Sequence, residues 1–267
     1  MINWANHQQG EHMSVTQFYD DFASDYTAIF ADWERSVGHQ GKVLGALLQK
    51  LGYASSTTTV RDVTCGVGTQ AFGLAMQGYR VIASDLSPQA IAQAEQLKAR
   101  FDLQTPPTFS VMDLLQPPTS VQISDVVLSG DNSIAHFLSE DDLATALHTM
   151  KQHMNDKSLL AITLRDYDAF VKEAPAYSAP RRSNDSGNRR VTFQLWDWDE
   201  AMQIYDMEQF IMTEGADGWQ TRSLHTRLRA WQRMEIDAVM TEVGLENITW
   251  HMPEDSSFYQ PIVTATQ

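Results

Sequence analysis

The chain has 267 residues, enough for one large domain with an inserted lid to bury a hydrophobic core without disulfide or metal staples. With 43% hydrophobic and 20% charged residues, it falls outside the disordered, collagen-like and low-complexity classes. The 19 Lys and Arg stand against 34 Asp and Glu, a net charge of −15, so nucleic-acid and membrane partners are disfavoured.

The start, Met1 to Met13, has no basic stretch followed by an apolar one, and no apolar run approaches the roughly 20 residues a spanning helix needs. Cys65 is the single cysteine and allows no internal disulfide, so a cytoplasmic protein is expected. Residues 14 to 52 read as a helical cap: aromatic Phe18, Tyr19, Phe22, Tyr26 and Phe30 precede an apolar face of Val43, Leu44, Leu47, Leu48 and Leu51. From Thr58 strands and helices alternate. Thr58 to Val63 reads as a strand, Thr69 to Gln77 as a helix stopped by Gly78, and Arg80 to Ser84 as a second strand ending at Asp85. Ser87 and Pro88 open a helix running to about Phe101; strands at Thr108 to Met112 and Asp125 to Ser129 follow. Ser139 opens a helix with Glu140, Asp141 and Asp142 in its first turn, and Leu159 to Leu164 makes a fifth strand. This alternation predicts an α/β, doubly wound, mostly parallel sheet, with ligands at the carboxyl ends of its strands.

After the fifth strand the period changes to two. Arg190 to Asp197, Gln203 to Thr213 and Trp219 to Leu228 alternate around turns at Asp199 and Gly215 to Gly218, an antiparallel β insertion of lid type. Ala230 to Val243 reads as a last helix stopped by Gly244, and Asn247 to His251 with Pro261 to Thr266 as a closing strand pair. The division expected is an arm and cap over 1–57, a ligand-binding core over 58–168, the insertion over 169–228, and the last helix and strand pair over 229–267.

The first strand runs into Asp62, Val63, Thr64, Cys65, Gly66, Val67, Gly68, Thr69, Gln70 and Ala71. Gly66, Gly68 and Ala71 satisfy G-x-G-x-x-A, and Asp85 follows Gly68 by 17 residues, the setting of a ribose-binding acid. Those features alone admit a nicotinamide cofactor. Charge at the turn favours another ligand. Asp62 adds negative charge where a pyrophosphate wants an unopposed helix end, and suits the sulfonium and ammonium of S-adenosylmethionine better. Met112 and Asp113 after the third strand could contact its adenine, although Asp113 taken alone reads as a solvated loop acid.

The segments DVTCGVGTQ, YRVIASDLSP, SVMDLL, LSGDNSIAHFL and LRDYD, in this order, resemble class I S-adenosylmethionine-dependent methyltransferases. Within that superfamily the chain is similar, over about residues 16 to 266, to glycine and glycine/sarcosine N-methyltransferases. Gln70 departs from the pattern, standing where many members have a further glycine. The resemblance implies a seven-stranded Rossmann-like methyltransferase fold and an enzyme moving a methyl group from S-adenosylmethionine to the amine of a small amino acid, with S-adenosylhomocysteine as product. Another small acceptor, or binding of the cofactor without turnover, are its alternatives. The cofactor residues so implied are Tyr26, Trp33, Asp62, Cys65, Gly66, Val67, Gly68, Gln70, Asp85, Leu86, Met112, Asp113, Leu114, Gly130, Asp131 and His136, with no metal ligands.

On the acceptor side the resemblance implies Tyr19, Asn132, Arg165 and Tyr177, the first three taking part in catalysis. Asn132 would orient the acceptor amine through its amide carbonyl, or simply cap its loop. His136 is read as a structural histidine, with a general-base role as the alternative. Arg165 ends an apolar strand and needs an anion: an acceptor carboxylate, or internally Asp166 or Asp168. Arg181, Arg182, Arg189 and Arg190 around Gly187 form either a solvated loop or a funnel for an anionic acceptor. Trp196, Trp198, Trp219, Trp231 and Trp250 read as core of the insertion rather than an aromatic cage. The partner expected is therefore a small molecule carrying a carboxylate, and a homo-oligomer is compatible with the sequence.

Overall fold

In this computed structural model the described residues are 13–118, 120–183 and 189–267, so the start of the chain and Gly187 lie outside them. Ser14 caps α1 (Val15–Phe22), its hydroxyl accepting from the Gln17 amide at 3.1 Å. The aromatic stretch does not run on as one helix. Tyr26–Ile29 form a 3-10 turn, Phe30 is extended, and Asp32 caps a separate helix, α2 (Trp33–Lys50), by accepting from the Arg35 amide at 3.0 Å. Short polar side chains at Ser24, Asp25 and Asp32 favour caps and turns over helix interior, which is why the periodic aromatics break there.

The core follows in order: β1 (Thr59–Asp62), α3 (Thr69–Met76), β2 (Arg80–Asp85), α4 (Pro88–Leu97), β3 (Thr108–Val111), β4 (Val126–Ser129), α5 (Glu140–Lys151) and β5 (Leu159–Thr163). The caps expected at Ser87 and Ser139 form, accepting from Ala90 N at 2.9 Å and Asp142 N at 3.1 Å. Next come α6 (Tyr167–Glu173), β6 (Arg181–Ser183), β7 (Arg190–Trp198), β8 (Ile204–Gly215), β9 (Gly218–Arg229), α7 (Arg233–Glu242), β10 (Glu246–His251), α8 (Pro253–Ser256) and β11 (Ile262–Thr266). The short elements α6, β6 and α8 carry too little periodicity to be read in advance. The last helix starts three residues later than expected. Ala230 N is held by the Gln203 carbonyl at 2.7 Å, and Gln232 with Glu235 forms the capping box.

The large sheet has seven strands in the order β10-β11-β5-β4-β1-β2-β3, parallel from β1 to β5 with β11 antiparallel between β10 and β5. Strands β6 to β9 form a separate antiparallel sheet of four. Central strands of a parallel sheet are covered on both faces, and β4 and β5 accordingly read as unbroken apolar runs with every residue buried. On one face Val127 and Ile162 pack with Leu147 of α5 and Val239 of α7; on the other Val60 and Leu128 pack with Leu48 of α2 and Leu74 of α3. Each such side chain contributes about 1.5–3 kcal/mol of burial. Helices α2 and α3 touch at Gly41, where a Cβ would lie 2.1 Å from the Gly73 carbonyl oxygen. The second sheet packs on α1 and the Tyr26–Ile29 turn, so that cap and insertion meet over the carboxyl ends of β1, β4 and β5.

Candidate active site

The turn between β1 and α3 requires left-handed backbone at two positions, Gly66 at φ 52° and Gly68 at φ 96°. Cys65 N donates to the Ser84 carbonyl at 3.0 Å, which ties the turn to β2. Asp85 completes the brace: one carboxylate oxygen accepts from Gly66 N at 2.7 Å and the other from Ser87 N at 2.9 Å. Each oxygen keeps a lone pair for a ligand. A pocket opens here. It is lined by Cys65, Gly66, Gln70 and Asp85, by Leu86, Met112, Asp113 and Leu114, and by Tyr19, Tyr26, Asp131 and His136 from the cap and the loop after β4. Val15, Val63, Thr64, Ser133 and Phe137 also line it, and their residue types carry no signal of ligand contact in the sequence.

Other expected cofactor residues are placed behind this wall. Trp33 is buried, its indole N–H donating to Thr69 Oγ1 at 3.0 Å and its ring against Phe72 and Phe101, and Val67 belongs to the same apolar cluster. Packing takes up both of these side chains. Gly68 is the N-cap of α3, and a Cβ there would lie 2.7 Å from the Phe72 ring. Gly130 N donates to Thr64 Oγ1 at 3.2 Å. Gln70, the departure from the family pattern, donates to Gln40 at 2.8 Å and hydrogen-bonds Asp131.

Three acids set the electrostatics of the pocket. Asp62 is fully buried beneath the turn; one oxygen accepts from Thr64 N at 3.4 Å and the other has no partner among the described residues. Burial pushes its pKa up to about 8, with Asp85 and Asp131 adding to the rise. Burial also raises Asp131, to about 6, against the opposing hydrogen bonds from Gln70 and Tyr26, and Tyr259 donates to the same carboxylate. Asp85 is raised by burial and held back by the amides of Ser87 and Gly66. Such a group of strained acids is stabilised by a cation and repels a pyrophosphate.

Beside the pocket lies a second cavity of about 630 Å³. Phe18, Phe22, Ile29 and Phe30 make one wall, and Thr192, Gln194, Trp196 and Gln209 of the antiparallel sheet make the other. Tyr19, Tyr26, Asp131 and His136 border both spaces. Tyr19 Oη is 2.9 Å from His136 Nε2, and Thr226 Oγ1 is 3.4 Å from His136 Nδ1. Burial lowers the His136 pKa to about 4, so the imidazole is neutral at pH 7, and burial pushes the Tyr19 hydroxyl up.

Arg165 borders the large cavity, and its guanidinium has no carboxylate partner among the described residues. Asp166 and Asp168, its expected internal partners, pair instead with Arg233 at 3.0 and 3.3 Å. The Arg165 guanidinium lies 4.3 Å from the Phe170 ring centroid and 5.1 Å from that of Trp196, and donates to Tyr205 Oη at 3.3 Å. Asn132 positions this arginine: its Oδ1 accepts from Arg165 N and its Nδ2 donates to Tyr167 Oη, both at 2.9 Å. Tyr167 and Tyr205 hydroxyls are 2.9 Å apart, which closes the ring of contacts. Asn132 is thus a brace between β4 and β5 with one carbonyl lone pair left over. Tyr177, at 66% exposure, bridges Leu195 and lines neither space.

Of the tryptophans, Trp196 and Trp231 are buried, Trp198 and Trp250 half-buried, and Trp219 exposed, so they form no cage. Arg190 and Arg222 pair with Asp25 at 3.3 and 3.0 Å, and Arg189 with Glu214, so these lid arginines are held within the protein.

Residues 60–157 match the methyltransferase domain family. No protein of curated function matches the sequence. Among solved structures, the CcbJ methyltransferase of Streptomyces caelestis superimposes with a TM-score of 0.73 at 16% identity, covering 94% of this chain and 98% of that one. DesVI of Streptomyces venezuelae gives 0.71 at 14% identity, over 96% and 99% of the two chains. CalS10 of Micromonospora echinaspora, an amino pentose methyltransferase solved with S-adenosylmethionine, gives 0.69 at 14% identity, over 97% and 99%. The chain thus carries a match to a methyltransferase domain over residues 60–157 and shares its fold, from end to end, with solved S-adenosylmethionine-dependent methyltransferases. The finer likeness to glycine and glycine/sarcosine N-methyltransferases rests on the sequence segments alone.

The pocket suits that cofactor. Asp62 offers an unpartnered buried carboxylate oxygen beneath the turn, Asp85 keeps acceptor capacity for ribose hydroxyls, and Leu86, Leu114 and Phe137 supply apolar surface for a purine. No described helix is long and apolar enough to cross a membrane.

Proposed function

We propose that the chain transfers a methyl group to the amine of a small molecule that carries an anionic group and is larger than glycine. The observation that carries this reading is Arg165, a permanent cation without a carboxylate partner among the described residues, on a cavity that meets the cofactor pocket at Tyr19, Tyr26, Asp131 and His136. A volume of about 630 Å³ lies in the ~300–1,000 Å³ range of drug-sized ligands, far more than glycine or sarcosine fills. An amine acceptor agrees with neighbours described as an amino pentose methyltransferase and a sugar N-methyltransferase.

Bound S-adenosylmethionine supplies an already activated methyl group, so the protein needs no covalent nucleophile. Its residues work by alignment and exclusion of water. Arg165 anchors the acceptor's anion, Asn132 and Tyr205 hold Arg165 in place, and the aromatics of α1 keep water from the junction. Tyr19 Oη and His136 Nε2 form the polar pair at that junction, and Asp131 beside them draws in the acceptor's ammonium form, which must give up a proton to solvent before its nitrogen lone pair can take the methyl group. O-methylation is the second reading, since Tyr19 Oη and the neutral His136 imidazole form a polar pair able to hydrogen-bond an acceptor hydroxyl at the junction.

The test is release of S-adenosylhomocysteine from S-adenosylmethionine across matched acceptors: glycine, amino acids of growing size, amino-sugar phosphates, and the alcohols corresponding to each. Turnover of the larger anionic amines and not the alcohols supports the proposal. Turnover of the alcohols alone replaces it with O-methylation, and glycine as the best acceptor removes the size argument.

A further inference from the structure

The inner face of the antiparallel sheet carries a chain of side-chain amides in an otherwise apolar stripe. On β8, Met207, Gln209 and Ile211 all turn inward and are buried, Gln209 to 2% exposure. Gln209 stands directly opposite Gln194 of β7. Its amide nitrogen donates to the carbonyls of Phe193 at 3.1 Å and Phe210 at 3.0 Å, so both N–H groups are used and its oxygen is left for Gln194. Gln194 Nε2 donates to that oxygen at 2.9 Å, and Gln194 Oε1 accepts from the Trp196 indole at 3.1 Å. A backbone carbonyl only accepts and an indole only donates, so the orientation of both amides follows from the two ends of the chain.

One N–H of Gln194 is then left for the cavity that this residue borders. Ser178 adds a second donor. Its oxygen accepts from Gln194 N at 2.8 Å and its own backbone N–H donates to the Gln194 carbonyl at 2.9 Å, which leaves the hydroxyl hydrogen for the same space. Across the cavity stand Phe18, Phe22, Ile29 and Phe30. The sheet wall thus offers fixed neutral donors, and Phe18, Phe22, Ile29 and Phe30 offer apolar surface on the cap side. Burying the Gln209 amide is costly unless every bond is made, and all its bonds are internal, which is the arrangement that holds Gln194 still.

We propose that Gln194 and Ser178 form a hydroxyl-reading subsite and that Gln209 is its positioning residue, so that the acceptor amine sits on a polyhydroxylated ring with its C–H face against the aromatics of α1. This rests on the amine-methyltransferase reading above and names the class of acceptor for the same site. Sites built to bond a hydroxyl discriminate strongly against analogues that lack it.

The test compares D-glucosamine with cyclohexylamine, equal in ring size and amine and different in hydroxyls, by NMR titration of the full chain loaded with S-adenosylhomocysteine. D-glucosamine should bind at least about tenfold tighter, the worth of one well-made hydrogen bond. The near-isosteric Gln194→Met should cut that preference about tenfold, and Gln209→Met several-fold, with melting temperatures showing both folded and S-adenosylhomocysteine affinity unchanged. A loss of affinity equal for the two amines would reveal a merely structural role and overturn the proposal. So would a wild-type protein with no preference. If D-glucosamine binds with the preference but neither it nor its 6-phosphate releases S-adenosylhomocysteine from S-adenosylmethionine, the subsite is supported and the amine-methylation reading fails.

Discussion

The two spaces that meet at Tyr19, Tyr26, Asp131 and His136 are built in opposite ways. The cofactor pocket comes largely from consecutive strand ends and gathers acids: burial raises the pKa values of Asp62, Asp85 and Asp131 together, so that a cation bound there favours their ionised forms. The acceptor cavity gathers side chains from the cap, the loop after β4, the end of β5 and the antiparallel sheet. Its cations are Arg165, deep at the end of β5, and Arg181, whose guanidinium donates to the Ile29 carbonyl. A cationic ligand and an anionic one are thereby sorted to opposite sides before any specific contact is made. Substitutions on the two sides should therefore affect different ligands.

The largest expected effect is on the cofactor side. Asp85→Ala removes the ribose acceptor and the brace on Gly66 and Ser87, and should weaken S-adenosylmethionine binding at least about a hundredfold, roughly 3 kcal/mol, while acceptor binding to the apo protein holds. Calorimetry on the folded variant measures both; an unchanged cofactor dissociation constant would falsify the assignment of this pocket. The mirror image is Arg165→Leu. Losing a charged contact of about 1.5–3 kcal/mol should raise the acceptor's KM ten- to a hundredfold and leave cofactor affinity as it was. Arg165→Lys should recover only part, since an ammonium keeps the charge without the planar fork. Should both variants instead lose cofactor and acceptor together, the two spaces are one coupled site and the contrast fails.

The same contrast explains what could be read in advance. The glycine turn, Asp85, the caps at Ser87 and Ser139 and the alternating elements are local patterns, in which spacing along the chain is already spacing in the site. Arg165 could be singled out, since a cation ending an apolar strand must find an anion, yet its freedom from Asp166 and Asp168 depends on Arg233, distant in sequence. Trp33, packed in the core, and Tyr177, on the surface, show that an aromatic residue type reads alike in a core, on a surface or at a ligand. Gln194 and Gln209 carry no site signal in the sequence. Their period-two placement marks a strand, but only the β7–β8 register shows that they face each other.

An intermediate effect concerns pH. The folded, cofactor-free protein raises Asp62 from 3.8 to about 8 and Asp131 to about 6. Raised acids contribute stability that is full below pH 4 and is lost as pH rises through about 6 and then about 8. A cationic ligand favours the ionised carboxylates, so its affinity should rise with pH over that window, about tenfold between pH 6 and 8, with protons released on binding. Asp62→Asn should flatten the profile. Subtracting the variant's profile from that of the wild type removes the ligand's own titration, and a difference with no slope would show that Asp62 does not sense the cofactor.

The smallest expected effect lies where the two covering elements meet. Asp25 of the cap holds Arg190 of β7 at 3.3 Å and Arg222 of β9 at 3.0 Å, and Arg222 also donates to the Asp21 carbonyl at 2.7 Å. Arg181 reaches the Ile29 carbonyl at 3.0 Å. Each contact lies at or near the surface, where an ion pair is worth only about 0–1 kcal/mol and is screened by salt. Asp25→Ala should therefore leave the fold and cofactor binding intact and loosen only the seam that closes the acceptor cavity. A two- to fivefold rise in acceptor KM is expected, with the wild type approaching the variant as salt is raised. If acceptor binding is instead insensitive to both salt and substitution, cap and antiparallel sheet are held by Phe22, Ile211 and their apolar neighbours alone, and the arginines there serve solubility rather than closure.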